Sequence, residues 1–349
     1  MQKEITKKKD NIDSVLVTGG GGYIGSHTII SLLKNGYNVV AIDNFSNCKK
    51  NIIEKIKKIS KSNFLFYKCD ISDYKKLASI INSKKIQSII HFAALKSIED
   101  SICNPKLYFK NNVKGSINLI KLSKKYNIKK FIFSSSATVY HQSNKPPFKE
   151  NYKLGATNPY GNTKVIFENY LKNFCKKNKY FGAICLRYFN PVGADISGLL
   201  GEEITKKSKN LVPNIYKTII DKKKILKIYG KNHKTKDGTC IRDFIHINDV
   251  VNGHISALDF LKIRKGWFAF NLGTGKGYSV LDVIECFQKI LKSKIKIKYT
   301  EKRKGDLSIS FADVKKTKKY LRWKAKFSLY DMCKSFCKWK KLIGRQIQH

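Results

Sequence analysis

Apolar residues in this chain come in short unbroken runs, and between the runs they recur at intervals of three and four. Ser14–Thr18 and residues 39–42, 64–67, 88–92 and 131–133 are too short for buried helices and do not alternate, so they predict strands covered on both faces. The stretches 24–35, 51–60, 74–82 and 105–125 have helical spacing, with Gly36 stopping the first and Pro105 opening the last. Strand and helix alternating with right-handed crossovers predict an α/β chain built on a Rossmann-type doubly wound parallel sheet. From about Pro191 the alternation breaks down and a smaller C-terminal α/β lobe is expected. Phe244-Ile245 reads as a short strand and Asn248 as the cap of a helix, which should return the chain to the first unit. The expected division is a first domain of 14–190 with 239–262 returning to it, and a second lobe of 191–238 and 263–349. Residues 144–147 read as a surface loop, and 1–13 as a charged basic tail expected to be disordered.

The first strand and helix carry a ligand signal. Gly19, Gly22 and Gly25 stand at G-x-x-G-x-x-G spacing in the turn between them, where glycine permits a tight turn and lets a ligand approach the backbone. Free amides at the start of the helix attract a diphosphate, and Tyr23 and Ile24 are assigned to the same site. Asp43 ends the second strand eighteen residues after Gly25, placed to accept from both hydroxyls of an adenosine ribose, with Asn44 beside it. Its charge would repel a 2′-phosphate, so the expected cofactor is NAD rather than NADP. Asp70 and Ile71 follow the third strand, where Asp70 either touches the adenine or shares a helix cap with Ser72. Phe92 ends the fourth strand, the small Ala93 and Ala94 after it would let the cofactor lie against the backbone, and Lys96 could reach a ribose or a phosphate.

A second signal lies past the fifth strand. Ser134, Ser135 and Ser136 end that run, and Tyr160 and Lys164 follow at helical spacing of four, which puts phenol and ammonium on one face. A free phenol titrates near pH 10 and is a poor base at neutral pH. Lys164 and a positive nicotinamide ring would stabilise the phenolate, and Ser136 could relay the proton of a substrate hydroxyl.

Composition adds limits rather than chemistry. A chain of 349 residues and 40.0 kDa, 42% hydrophobic, can bury a large core. Lys+Arg 70 against Asp+Glu 25 gives a net charge of +45, but the lysines are scattered through every segment, so no specific nucleic-acid partner is expected. Nine cysteines make no C-x-x-C pair and no metal-ligand spacing, so no metal is expected. Their odd number, and the lack of any apolar run long enough for a signal peptide or membrane span, point to a cytoplasmic protein with no membrane partner.

Across residues 15–339 the chain resembles the UDP-glucose 4-epimerases of the extended short-chain dehydrogenase/reductase family. The resemblance is carried by TGGGGYIGSH, HFAALKS, the Asn111-Asn112 pair of YFKNNVKG, FIFSSSATVY, PYGNTK, LRYFNPVGA, IYG, GTCIRDFIH and RKGD. It implies tightly bound NAD and interconversion of UDP-glucose and UDP-galactose through a transient 4-keto sugar. It also implies Tyr160 as base, Lys164 on the nicotinamide ribose, Ser136 assisting, and Asn112, Ser134 and Tyr188 at the cofactor. The UDP-sugar would meet Lys96, Ser136, Phe189, Asn190, Asn210, Leu211, Tyr229, Arg242, Arg303 and Asp306. Forked guanidinium groups suit a diphosphate and Asp306 suits a ribose, although Arg242 and Asp243 also read as a local ion pair. Ser310 would edge the hexose, its small size admitting N-acetyl sugars. A homodimer through helices near 105–125 and 162–179 is implied in the same way. Three positions depart from the family pattern: His141 and Ala94 replace usual glycines, both expected to tighten the cofactor pocket, and 206–210 reads KKSKN. A 4,6-dehydratase is disfavoured because Ser136-Ala137-Thr138 lacks the acid pair that dehydration needs. Intact Ser136, Tyr160 and Lys164 disfavour a silent NAD-binding protein.

Overall fold

The computed structural model describes residues 13–205, 208–221, 223–303 and 306–342. Strand β1 (Ser14–Thr18), helix α1 (Tyr23–Lys34), β2 (Asn38–Asp43), α2 (Ile52–Ser60), β3 (Leu65–Lys68), α3 (Tyr74–Ser83) and β4 (Ser88–His91) follow the predicted alternation closely. Val15 and Val17 of β1 pack into one apolar layer and Leu16 into the opposite one, because successive strand residues point to opposite faces. Both faces are therefore dry, which is why these runs show no polar alternation.

Next come α4 (Ile98–Cys103), α5 (Pro105–Phe109), a wide π-helical turn at Lys110–Gly115 and α6 (Ser116–Lys125). The single helix expected over 105–125 thus contains a π turn, which carries Asn112 into the interior. Then β5 (Lys130–Ser136), α7 (Pro159–Lys177), β6 (Gly182–Tyr188) and β7 (Asn190–Val192) lead to α8 (Leu211–Ile220), β8 (Leu226–Tyr229), β9 (Ile241–Arg242) and β10 (Phe244–His246). Helix α9 (Ile247–Ile263) runs straight on from β10. Its cap is His246, whose Nδ1 accepts from the Asn248 amide at 3.1 Å; the predicted cap, Asn248, is already inside the helix because the strand supplies the last extended residue.

After α9 the chain forms β11 (Gly266–Leu272), β12 (Tyr278–Ser279), α10 (Val280–Leu291), β13 (Ile297–Thr300), β14 (Ile309–Ser310), α11 (Lys315–Leu321) and α12 (Leu329–Trp339). The main sheet has seven strands, all parallel, in the order β11-β6-β5-β4-β1-β2-β3. Strand β11 lies in this sheet and not in the second lobe, where the sequence reading had put everything from 263 onward. The run Trp267–Leu272 simply completes the crossover that α9 begins. Leu321 and Trp323 also pack into the first core, and the Trp323 indole donates to the Asp249 carbonyl at 3.0 Å. A separate apolar cluster joins Val212, Ile215, Phe287, Met332 and Phe336. We place the start of the second lobe's C-terminal part after Leu272 on that ground. The tail at 1–12 lies outside the described residues. Strand order reverses between β1 and β4, and in open parallel sheets ligands bind at the carboxyl ends of the strands at such a point.

Candidate active site

At the carboxyl end of β1, Gly19 adopts φ +68°, and a Cβ there would lie 2.7 Å from the Ala93 amide nitrogen. The turn therefore needs glycine both for its backbone and for its contact with the end of β4. Asp43 accepts from the Gly21 amide at 3.0 Å and from the Phe45 amide at 2.8 Å, which fixes its carboxylate beside the glycine turn. Each oxygen keeps a lone pair for a ligand hydroxyl. Asn44 donates to Asp70 at 2.7 Å, and Asp70 also accepts from the Ser72 amide and hydroxyl. Burial acts to raise the Asp70 pKa, but these hydrogen bonds outweigh it and hold the group below its ordinary value. The Asp70–Ser72 bond is thus present, while the predicted helix cap falls to Asp73, which accepts from Lys76.

Other residues assigned to the cofactor brace the pocket. The Tyr23 hydroxyl donates to the Gly193 carbonyl at 2.7 Å, and Ile24 packs on the apolar layer. Ile71 is buried against the π turn at Gly115. Asn112 holds Leu95 by two bonds, at 2.8 and 2.9 Å, and donates to Thr163 of α7 at 3.2 Å. The Phe92 amide donates to Thr18, and its ring lies 4.8 Å from that of His254, to which the Tyr188 hydroxyl is bonded at 2.6 Å. Lys96 pairs with Glu202 at 3.3 Å.

Beside this turn, at the end of β5, stand the reacting groups. Asn158 caps α7 and Thr163 donates to the Tyr160 carbonyl, so the first turn that carries the tyrosine is fixed. Lys164 is buried, donates to the Ser134 carbonyl at 2.7 Å and lies 5.7 Å from the Tyr160 ring centre. Ser136 Oγ accepts from the Thr138 amide and hydroxyl, and its hydroxyl is near enough to Tyr160 to act on the phenol. Burial pushes the Tyr160 phenol up to about 12, opposed by the nearby Ser136 hydroxyl. Burial likewise pushes Lys164 down to about 7, opposed by the charge of Glu168. A dry site thus disfavours both charges taken singly, and favours their formation as a pair.

On the far side, Arg242 pairs with Asp306 at 3.5 Å and not with Asp243, whose buried carboxylate accepts from Thr274, Gly275 and Ala312. The Arg303 guanidinium lies 3.8 Å over the Tyr229 ring. Ser310 is paired in register with Arg242 across β14 and β9, which sets the position expected at the hexose next to one expected at the diphosphate. Asn190 donates to the Asp243 carbonyl at 3.0 Å, and Phe189 is buried with Tyr140 and Phe148. Asn210 precedes α8, of which Leu211 is the first residue. His141 bonds to Ser143 at 2.7 Å and packs on Gly155 within the 141–155 loop; residues 206 and 207 of the KKSKN stretch lie outside the described residues. Sequence reading missed Glu168, Arg187 and Asn271, which are joined behind Lys164. A charged residue one turn after Lys164, and another inside the apolar run AICLRYF, were the available signals.

A family model described as GDP-mannose 4,6 dehydratase matches residues 16–336. The UDP-glucose 4-epimerase of Dictyostelium discoideum is 44% identical over 331 residues, which cover 95% of this chain and 96% of that one. A UDP-glucose 4-epimerase from Stenotrophomonas maltophila, solved with NAD and formylated UDP-arabinopyranose, is 37% identical with a TM-score of 0.92, covering 95% of this chain and 98% of that one. The enzyme from Bifidobacterium longum, solved with NAD+ and UDP, is 39% identical with a TM-score of 0.89, covering 94% and 98%. With 44% identity to a curated relative over 95% of the chain, and a family model matched across residues 16–336, the chain belongs to the UDP-glucose 4-epimerase family of the extended short-chain dehydrogenases/reductases.

Proposed function

We propose that this protein interconverts UDP-glucose and UDP-galactose by oxidising and re-reducing the sugar at C4. The observation that carries the reading is the convergence of Tyr160, Lys164 and Ser136 beside the glycine turn and Asp43, at the reversal of strand order. The shape of that turn fits a dinucleotide: Gly19 lets the turn pack directly on the end of β4, and Asp43, fixed by the Gly21 amide, presents oxygens to a ribose. Gly19, Gly22, Gly25, Asp43 and Lys164 would hold NAD, which when bound supplies a hydride acceptor and a positive ring next to the phenol. Tyr160 takes the proton of the sugar's 4-hydroxyl, with Ser136 hydrogen-bonded to the same oxygen, and returns it after the sugar turns over. Lys164 stabilises the phenolate from the same helix face. Arg242 and Arg303 would anchor the diphosphate, Tyr229 and Asp306 the uridine, leaving the hexose free to rotate. Ser136-Ala137-Thr138 offers no acid to expel water, which separates this site from a dehydratase. Conversion of UDP-galactose by purified protein, without added NAD, tests the reading.

NAD bound for the whole cycle never needs to leave. Denaturing the purified protein is therefore expected to release about one NAD per chain, held in the cradle of a complete dinucleotide fingerprint. Active protein that contains none and depends on added NAD overturns this.

Ser310 extends the reading to N-acetyl sugars. It is half-buried at the end of β14, next in sequence to Phe311, whose carbonyl accepts from Phe148. Serine leaves volume for an acetamido group that a phenol would fill, and overpacking such a site typically costs about 1–3 kcal/mol. We expect conversion of UDP-N-acetylglucosamine as well as the plain hexoses, and expect Ser310→Tyr to cut the N-acetyl activity by roughly 10- to 100-fold while sparing UDP-galactose. Equal loss of both activities contradicts a size gate.

The same reading includes a homodimer, supported by exposed Ile98, Ile102, Leu107, Phe109 and Ile166 on α4, α5 and α7. It includes a cytoplasmic location, supported by nine cysteines all present as free thiols. Among the described residues no helix is long and apolar enough to cross a membrane.

A further inference from the structure

One turn beyond Lys164 on α7 lies Glu168, a carboxylate with 0% of its surface exposed. Its Oε1 accepts from the Ser135 hydroxyl and from Arg187 Nε at 3.0 Å, and its Oε2 accepts from Arg187 Nη2 at 2.6 Å. Burying an ion pair is costly, and an apolar pair of similar volume often serves stability as well. The position of this pair suggests what else it does. Three consecutive residues of β5 meet α7 in different ways: the Ser134 backbone carbonyl receives Lys164, the Ser135 side chain donates to Glu168, and Ser136, at the strand's end, neighbours Tyr160. Arg187 stands opposite Ser135 in the β5–β6 register. Its Nη1 donates to the Tyr140 hydroxyl at 3.2 Å and to the Glu150 carbonyl at 2.9 Å. Tyr140 donates in turn to Asn271 at 2.6 Å, and Asn271 donates to the carbonyls of Phe148 and Asp313 at 2.8 and 3.1 Å. The network therefore runs from the catalytic helix to the segment just past Ser310.

We propose that Glu168, paired with Arg187, is a positioning residue for the reaction: it locks Ser136 in register with Tyr160 and Lys164, and places an anion behind the Lys164 ammonium. The inference rests on the epimerase reading above. Facing Lys164 are Tyr160 and Glu168 on its own helix, the Ser134 carbonyl from β5, Cys185 from β6 and His91 from β4. Burial pushes the Cys185 thiol well above its usual range and the His91 imidazole down to about 3, so both are uncharged at neutral pH. Among the described residues Glu168 is thus the anion that acts to raise Lys164 against the pull of burial. Arg187 holds that carboxylate in place with two hydrogen bonds, one to each oxygen.

The double variant Glu168→Gln/Arg187→Met removes both charges while the glutamine can still accept from Ser135. Without the anion Lys164 loses its proton at lower pH, so the alkaline limb of the kcat profile is expected to move down by about one unit. At pH 8 kcat is expected to fall about tenfold or more, the scale of a misplaced acid-base group, with KM for UDP-galactose and bound NAD unchanged. Wild-type protein in the same assay separates the two readings, since failure of the wild type to convert UDP-galactose defeats the functional reading itself. A folded double variant with wild-type kcat and an unmoved alkaline limb makes the pair purely structural and overturns the proposal. If the double variant does not fold, Glu168→Asp decides: it keeps the charge but shortens the arm. It is expected to keep the alkaline limb while kcat falls severalfold at constant KM, and unchanged kcat overturns the proposal.

Discussion

Tyr160→Phe is expected to lower turnover by about 10² to 10⁴, the usual contribution of a positioned acid-base group, while leaving the fold and the bound NAD in place. The phenol oxygen is the only atom removed, and the helix turn that carries it is held through other atoms, the Asn158 cap and the Thr163 hydroxyl. The sign of the pH dependence follows from the neighbours. Burial pushes Tyr160 up to about 12 and Lys164 down to about 7, so at neutral pH the resting phenol keeps its proton. A bound positive ring and the Lys164 ammonium must together bring the phenolate within reach, so wild-type turnover should rise with pH until Lys164 loses its proton. The phenylalanine variant has no phenol to ionise, and its residual rate should lack that rise. Stopped assays of UDP-galactose conversion across pH, with NAD counted after denaturation, check both points. Near wild-type turnover in the variant removes Tyr160 from the mechanism.

Much of the sheet was legible because its strands are covered on both faces. Leu16 and Val17 belong to opposite layers, and both are fully buried. Short unbroken apolar runs are therefore a sufficient signal, and the first five strands follow it. The reading failed where the same run came out of sequence order. Strand β11 is as apolar as β5, but it follows a loop-rich segment and was grouped with its chain neighbours, whereas pairing with β6 decides its place. The cap of α9 was missed for a smaller reason. Asn248 is the better capping residue by type, but β10 ends one residue before the helix and leaves His246 in the extended conformation that a cap requires.

At the site, residues read from spacing came together, because a helix fixes positions four apart whatever surrounds it. Tyr160 and Lys164 needed only that. Residues whose role depends on a distant partner gave no such signal. Asp306 finds Arg242 across 64 positions of sequence, and Glu168 finds Arg187 on another element. Lysine excess also says little about individual side chains. Lys96, expected at the cofactor or sugar, pairs in this structure with Glu202, one of only 25 acids in the chain.

Gly25→Ala tests the cofactor cradle and should have the second large effect. Gly25 sits inside α1, where helical dihedrals suit alanine, and propensity alone would make the change mildly stabilising. Packing reverses that sign. A Cβ at Gly25 would lie 2.2 Å from the Gly19 carbonyl oxygen, 3.0 Å from its carbonyl carbon and 3.1 Å from the Gly20 Cα. All three are backbone atoms of the turn, so no side chain can swing aside and the helix start must move off the strand. Overpacking of this kind costs about 3 kcal/mol, at the upper end of the usual range, and the strain falls on the turn itself. Gly19 already holds φ +68° against Ala93, and the Gly22 amide donates to the Gly19 carbonyl at 3.1 Å. Displacing Gly19 therefore displaces the amides expected at the diphosphate and the Gly21 amide that fixes Asp43. The expected result is protein that folds with lowered thermal stability, releases little or no NAD on denaturation and has no turnover unless NAD is added in excess. Gly36→Ala is the matching control, since Gly36 ends the same helix at φ +78° with nothing within 4 Å of its added Cβ, so it costs stability without touching the cradle. Full NAD content in Gly25→Ala, or equal loss of NAD in both variants, would show that the close approach of α1 to the turn is not what holds the cofactor.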